Sequence, residues 1–117
     1  MQSQDYGRPI HTEIGTLSSV TTTGNNWADV GTFNVRLLKT KELLFTATTQ
    51  NLKVQVLASY DEGSTYPRTA EAEFTVTAGT SVAKTISIYC TDLKIQVKPA
   101  SADTHGTLDT QMCGASF

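Results

Sequence analysis

Three features of the sequence predict an all-β protein, an antiparallel β-sandwich of jelly-roll or immunoglobulin-like kind. Apolar residues recur at every second position in one short run after another, the period of a strand with one face buried. Threonine is the commonest residue, twenty against nine serines in 117 residues, and its branched Cβ favours pleated, half-buried positions. No segment places apolar residues at i, i+3, i+4 and i+7 over three turns, so no helix competes. At this length the chain forms one domain around a single core.

The elements follow in order. Residues 1–13 are polar, contain Gly7 and Pro9, and show no period, so they read as an extended or flexible arm ahead of a domain over 14–117. Ile14 to Val20 is a weak strand, and Gly24-Asn25-Asn26 turns the chain. Trp27 to Leu38 holds a strand with Phe33, Val35 and Leu37 on one face, ended by a turn at Lys39-Thr40-Lys41. Glu42 to Thr48 keeps Leu43, Phe45 and Ala47 in phase. The clearest strand is Leu52 to Ala58, with Leu52, Val54, Val56 and Ala58 facing inward. A tip at Asp61 to Pro67 returns the chain into Glu71 to Thr77, which buries Phe74 and Val76. After Ala78-Gly79-Thr80, the run Val82 to Cys90 sets Val82, Ile86 and Ile88 on one face. Leu93 to Val97 follows, ended by Pro99, then a loop over 100–106 and a last strand or tail over 107–117. Seven or eight strands at this spacing suit two antiparallel sheets packed face to face, or a small barrel.

Composition narrows the function. Net charge is −2 and no basic run occurs, so the cationic cluster that nucleic acid demands is missing. Arg36, Lys39 and Lys41 are the nearest approach and read as solvating a loop. No apolar run reaches the length of a membrane span. Met1 to Asp5 lacks the basic and apolar regions of a signal peptide, which predicts a protein made and assembled in a cytoplasm. Such a compartment keeps Cys90 and Cys113 reduced. Strand phase puts Cys90 in step with Ile86 and Ile88, toward the core, and Cys113 out of step with Leu108 and Met112. Two cysteines without CxxC spacing make no zinc site.

Candidate chemistry is sparse. His11 and His105, the only histidines, have no partners at recognised spacing and read as loop residues. Glu71 and Glu73 should project from one polar face, as a glycosidase pair does, but they lack an aromatic-lined cleft and read as solvated strand charges. Asp61 and Glu62 offer only two carboxylates for a calcium ion, too few for a dedicated site. Trp27, Tyr60 and Tyr66, with Asn25 and Asn26 nearby, could form a platform for sugar rings, although a lone Trp in a small sandwich more often plugs the core. No catalytic residue, metal ligand or cofactor contact is assigned, and the chain is read as a non-enzyme.

The octet Ser59-Tyr60-Asp61-Glu62-Gly63-Ser64-Thr65-Tyr66 is the most specific motif. It fits the Asp-box pattern, Ser-x-Asp-x-Gly-x-Thr-aromatic, a hairpin tip in which Asp bonds its own backbone and Gly tolerates positive φ. Ser59, Asp61, Gly63, Thr65 and Tyr66 therefore mark architecture. A second regularity is an echo: Asn51-Leu-Lys-Val-Gln-Val56 and Asp92-Leu-Lys-Ile-Gln-Val97 nearly match. Strands on the same kind of half-buried surface reuse the same residues, and this convergent reading is preferred to a pseudo-repeat.

The order of these signals resembles small β-sandwich virion proteins of tailed bacteriophages. The likeness runs from the aromatic-led strand at Trp27, through the Asp-box hairpin, Ala78-Gly79-Thr80-Ser81 and Leu-Lys-Ile-Gln-Val-Lys-Pro-Ala, to Gly106-Thr107-Leu108. It implies a non-catalytic protein located in the virion and assembled in the host cytoplasm. A capsid decoration or cement protein, bridging subunits of the major capsid protein as a homo-oligomer such as a trimer, is the first expectation. A neck or tail component bound to other virion proteins is the second. A carbohydrate-binding module for host glycans is the alternative from another class. The expected contacts are the arm, with Tyr6, Arg8 and Pro9, and the loops at 24–27, 61–67 and 100–106, with Trp27 and Tyr60.

Overall fold

Alternation is the organising fact of the fold. In the computed structural model, which describes residues 12–116, eight strands form: β1 (Thr12–Thr21), β2 (Ala28–Asn34), β3 (Thr40–Thr48), β4 (Leu52–Ser59), β5 (Arg68–Val76), β6 (Ser81–Ile86), β7 (Asp92–Pro99) and β8 (Thr107–Ala115). In β4, Leu52, Val54, Val56 and Ala58 are fully buried, while Lys53, Gln55 and Leu57 lie on the other face. The same alternation buries Leu93, Ile95 and Val97 in β7 and Leu43, Phe45 and Ala47 in β3. Each of these Leu, Val, Ile and Phe side chains contributes about 1.5–3 kcal/mol by leaving water, and the two alanines less.

The strands form two four-stranded antiparallel sheets, in the orders β1-β8-β3-β6 and β2-β7-β4-β5. Except for the β4–β5 hairpin, each connection carries the chain from one sheet to the other. Two interleaved four-stranded sheets of this order make a jelly roll, which settles the choice between jelly-roll and immunoglobulin-like sandwiches. Phe45 of the first sheet meets Phe74 of the second at 5.3 Å between ring centroids, tilted by 59°. Phe33, Leu108 and Met112 belong to the same buried core, and Phe74 packs against it. Among the described residues no helix is long and apolar enough to cross a membrane.

The sequence echo lands on neighbouring central strands. Gln55 of β4 stands opposite Gln96 of β7, flanked by the pairs Val54–Val97 and Val56–Ile95. Both strands bury one face and wet the other, so equivalent positions draw equivalent residues.

Several expectations need correction. The strand after Trp27 stops at Asn34. The chain then turns through a Leu38 N–H to Val35 C=O bond of 3.0 Å, and the phase shifts. Leu37 is therefore 63% exposed and Leu38 takes the core position. Lys41 belongs to β3 and is only 1% exposed, buried in a strand and not in a solvated turn. β6 ends at Ile86, so Ile88 and Cys90 lie in a loop, although Cys90 is buried as phase predicts and Cys113 is exposed. Both thiols are free. Glu71 and Glu73 do not share a face. Two register shifts in β5 against β4 break the alternation between them. Glu71 reaches Lys84 in the opposite sheet at 3.6 Å, whereas Glu73 meets Lys53 at 3.1 Å and Lys98 at 3.8 Å. Thr12 and Glu13, assigned to the arm, open β1, and the rest of the arm lies outside the described residues.

Candidate interaction surface

The topology sorts the loops into two ends. One end gathers the start of β1, the β2–β3 loop (35–39), the Asp-box tip, the β6–β7 loop (87–91) and the end of β8. The other gathers residues 22–27, 49–51, 77–80 and 100–106.

The tip end is built around Ser59 and Asp61. Ser59 is fully buried at the last position of β4. Its hydroxyl donates to Asp61 Oδ1 at 2.7 Å and accepts from the backbone N–H groups of Gly63 at 2.8 Å and Asp61 at 3.3 Å. Asp61 accepts from the Thr65 N–H at 2.9 Å and the Thr65 hydroxyl at 2.7 Å. These donors, the Thr65 backbone first, hold the Asp61 carboxyl at a pKa of about 2. Both of its oxygens are committed to the turn, which leaves them poorly placed for a cation. Glu62 and Gly63 take φ of 62° and 91°, the left-handed geometry the pattern reserves for this place. Thr91 ties the tip to the β6–β7 loop: its hydroxyl accepts from the Glu62 N–H at 2.9 Å and its N–H donates to Ser59 C=O at 2.8 Å.

A buried lysine joins the other two loops. The Lys41 ammonium donates to Ile88 C=O at 2.8 Å and to Leu38 C=O at 3.4 Å. Burial pushes its pKa down, opposed by the nearby Cys90 thiol. Cys90 is itself pushed up by burial. Lys41 thus clamps from beneath the two loops that display Leu37 and Tyr89, which are 63% and 73% exposed. Ile14, 83% exposed, and Tyr60, 47% exposed, sit at the same end. Among the described residues, four of the five large exposed apolar side chains are gathered here, and the fifth, Leu44, lies mid-strand. Open hollows of about 240 Å³ beside Leu37 and about 340 Å³ beside Tyr89 indent this end.

The far end is polar and self-bonded. Asn25 Nδ2 donates to Asp103 Oδ1 at 3.2 Å, and the Asp103 N–H returns a bond to Asn25 Oδ1 at 2.9 Å. The Thr22 hydroxyl lies 3.1 Å from His105 Nδ1 and accepts from the Gly106 N–H at 3.2 Å. Asn51 Oδ1 accepts from the Ala78 N–H at 2.8 Å. Trp27 is half-buried at the start of β2, with the Lys98 ammonium 4.7 Å from its ring centroid.

The residues singled out in the sequence are thereby divided. Tyr60 and the 61–67 loop lie at the tip end, and Trp27 with the 24–27 and 100–106 loops at the far end. Tyr6, Arg8 and Pro9 lie outside the described residues. Leu37, Tyr89 and Ile14 were missed as surface residues. The Leu37-Leu38 doublet was the available signal, since a strict strand cannot bury both of two successive residues on one face.

The aromatic platform does not assemble. Trp27 and Tyr66 sit at opposite ends of the second sheet's outer face, each under a lysine of β7, Lys98 at 4.7 Å and Lys94 at 4.5 Å. Between them Gln55 Nε2 donates to Gln96 Oε1 at 2.7 Å, and Gln96 Nε2 to Asp29 Oδ1 at 2.8 Å. Lys94 also approaches Asp29 at 3.8 Å. Bonding to Lys53, then to Lys98, lowers the Glu73 pKa. This face satisfies itself.

No protein-family model matches the sequence, and no curated protein matches it. Solved structures do. The SPBc2 prophage-derived protein YomS superposes with a TM-score of 0.58 at 8% identity, covering 92% of this chain and 96% of that one. The VP2 subviral particle of infectious bursal disease virus gives 0.53 at 10% identity, covering 91% of this chain and 32% of that one. A subunit of the Bacillus endospore appendages, which form disulfide-linked pili, gives 0.50 at 12% identity, covering 97% and 96%. The chain thus spans about a third of the bursal disease virus chain and nearly all of the other two. At these identities the likeness is one of fold, shared with proteins of virus particles, a prophage and a pilus.

Proposed function

We propose that this chain is a non-enzymatic structural protein of a phage particle, most specifically a capsid decoration or cement protein. The observation that carries the reading is the gathering of Ile14, Leu37, Tyr60 and Tyr89 at one end of a jelly roll whose other end and second-sheet face bond to themselves. Exposed apolar side chains grouped in this way mark a protein contact. The shared fold of virus-particle and prophage proteins agrees with it. The polar groups weighed for chemistry are occupied structurally, Asp61 in its turn, Glu71 and Glu73 in separate ion pairs, and His105 against Thr22.

In this reading the tip end lies on neighbouring capsid subunits, and residues 1–11, joined to β1 at the same end, add contacts. Each contact is weak, and lattice symmetry multiplies them. Head stability against internal genome pressure rises as neighbours are bridged. Quantitative mass spectrometry of purified particles tests the assignment. A decoration protein is present in numbers comparable to the capsid subunits, and a neck or tail component in the numbers of a single ring. A particle lacking the chain refutes both.

A further inference from the structure

The four sheet edges are not protected alike. Edge strands invite pairing, and proteins blunt them with charges, bulges, prolines or brevity. β2 has a bulge between Asp29 and Gly31. β5 has two register shifts and carries Arg68, Glu71 and Glu73. β6 is six residues long, and its Lys84 reaches Glu71 and lies 4.7 Å from the Phe74 ring centroid, closing that side of the sandwich. β1 differs. It is ten residues long and holds no Lys, Arg or Pro, and although its own register shifts between Leu17 and Val20, its first six residues run unbroken from Thr12 opposite Ala115 to Leu17 opposite Thr110. Among the described residues no strand pairs with its outer edge. Ile14 stands on this stretch, 83% exposed.

We propose that a second copy of this chain pairs its own β1 antiparallel along this edge. The result is a two-fold dimer in which two four-stranded sheets become one sheet of eight. Charge is compatible with a second copy. Glu13 is the only ionisable residue of β1. In a two-fold register centred on Ile14 it faces Gly15 of the second copy, and in one centred on Gly15 it faces Leu17, so like charges never meet. Either register sets Ile14 against the second copy, opposite Ile14 or Thr16. The β5 and β6 edges carry charges already committed across the sandwich, so they are poorer partners. This inference goes beyond the virion reading and does not rest on it.

Light scattering on the purified full chain, together with cysteine cross-linking, tests it. The expected mass is twice that of the chain. Ile14→Lys places two ammonium groups across the two-fold and yields a monomer that keeps the far-UV circular dichroism of the folded chain, because Ile14 is exposed within a single copy; its melting temperature no longer depends on protein concentration. In a Cys113→Ser background, which removes the thiol opposite position 14 on β8, Ile14→Cys or the pair Ile14→Cys with Thr16→Cys gives a covalent dimer on oxidation. A trimer, a dimer that survives Ile14→Lys, or a monomer that yields no cross-link overturns the proposal. A dimer lost only when residues 2–11 are deleted also overturns it, and assigns the contact to the arm.

Discussion

The two ends of the sandwich, one with three connections and the other with four, solve opposite problems. At the far end, loops 22–27 and 100–106 bond to each other through Asn25, Asp103, Thr22 and Gly106. Polar groups that meet one another have little left to offer a partner. At the tip end the hydrogen bonds are turned inward, through Ser59, Asp61, Thr91 and Lys41. Inward bonding holds the backbone firm while Leu37, Tyr60 and Tyr89 face water. A rigid scaffold with exposed apolar side chains loses little conformational entropy on docking. The lesson is that the direction of the loop hydrogen bonds, more than their number, separates a finished end from an available one.

The comparison breaks most severely at Lys41. Lys41→Ala removes a buried side chain and orphans the carbonyls of Leu38 and Ile88, costing about 3 kcal/mol in urea denaturation. Lys41→Met keeps the volume and costs less. The pH dependence has a defined sign. The folded state holds this amine below its usual 10.5, so the unfolded chain binds more protons in the window between the lowered value and 10.5. Stability therefore rises with pH across that window, and the rise disappears in Lys41→Met.

Ser59→Ala comes next. It removes one buried hydroxyl with three bonds and leaves the Gly63 N–H without its acceptor, a loss of about 2 kcal/mol by the same assay. Acid acts on the same turn. Asp61 has its carboxyl lowered from 3.8 to about 2, so its stabilising contribution is complete above 3.8 and fades as pH falls through about 2. The Thr65 amide, followed by NMR, titrates with that low midpoint, and the far-end Gly106 amide does not follow it. Asn25→Ala is milder, at most about 1 kcal/mol, since both of its bonds with Asp103 are exposed. Leu37→Ser and Tyr89→Ser change folding least, by about 0.5 kcal/mol or less. Under the proposed decoration role, each nevertheless weakens docking to undecorated capsids about tenfold or more, the equivalent of about 1.4 kcal/mol.

How legible all this was depended on range. Local signals read well: the β4 core positions and the Asp-box turn follow from the alternation of Leu52 to Ala58 and from Ser59, Asp61 and Gly63. Cys90 and Cys113 took the sides that phase assigns them. Errors arose where a tertiary contact reset the phase. Leu37 and Leu38 exchange roles because the chain leaves the sheet after Asn34. Glu71 and Glu73 part because β5 bulges against β4. Lys41 was unreadable as a buried residue, since its acceptors Leu38 and Ile88 are backbone carbonyls of two different loops. The end that gathers Leu37, Tyr60, Tyr89 and Ile14 had no linear motif, because four separate segments of the chain supply it.

The central claim is that the tip end is the docking end. Hydroxyl-radical footprinting of the chain on assembled phage particles, compared with the free protein, tests it directly. Protection at Leu37, Tyr60 and Tyr89, with Trp27 and His105 labelled as in the free protein, is the predicted result. Protection at Trp27 and His105 with the three tip-end side chains still labelled would contradict it.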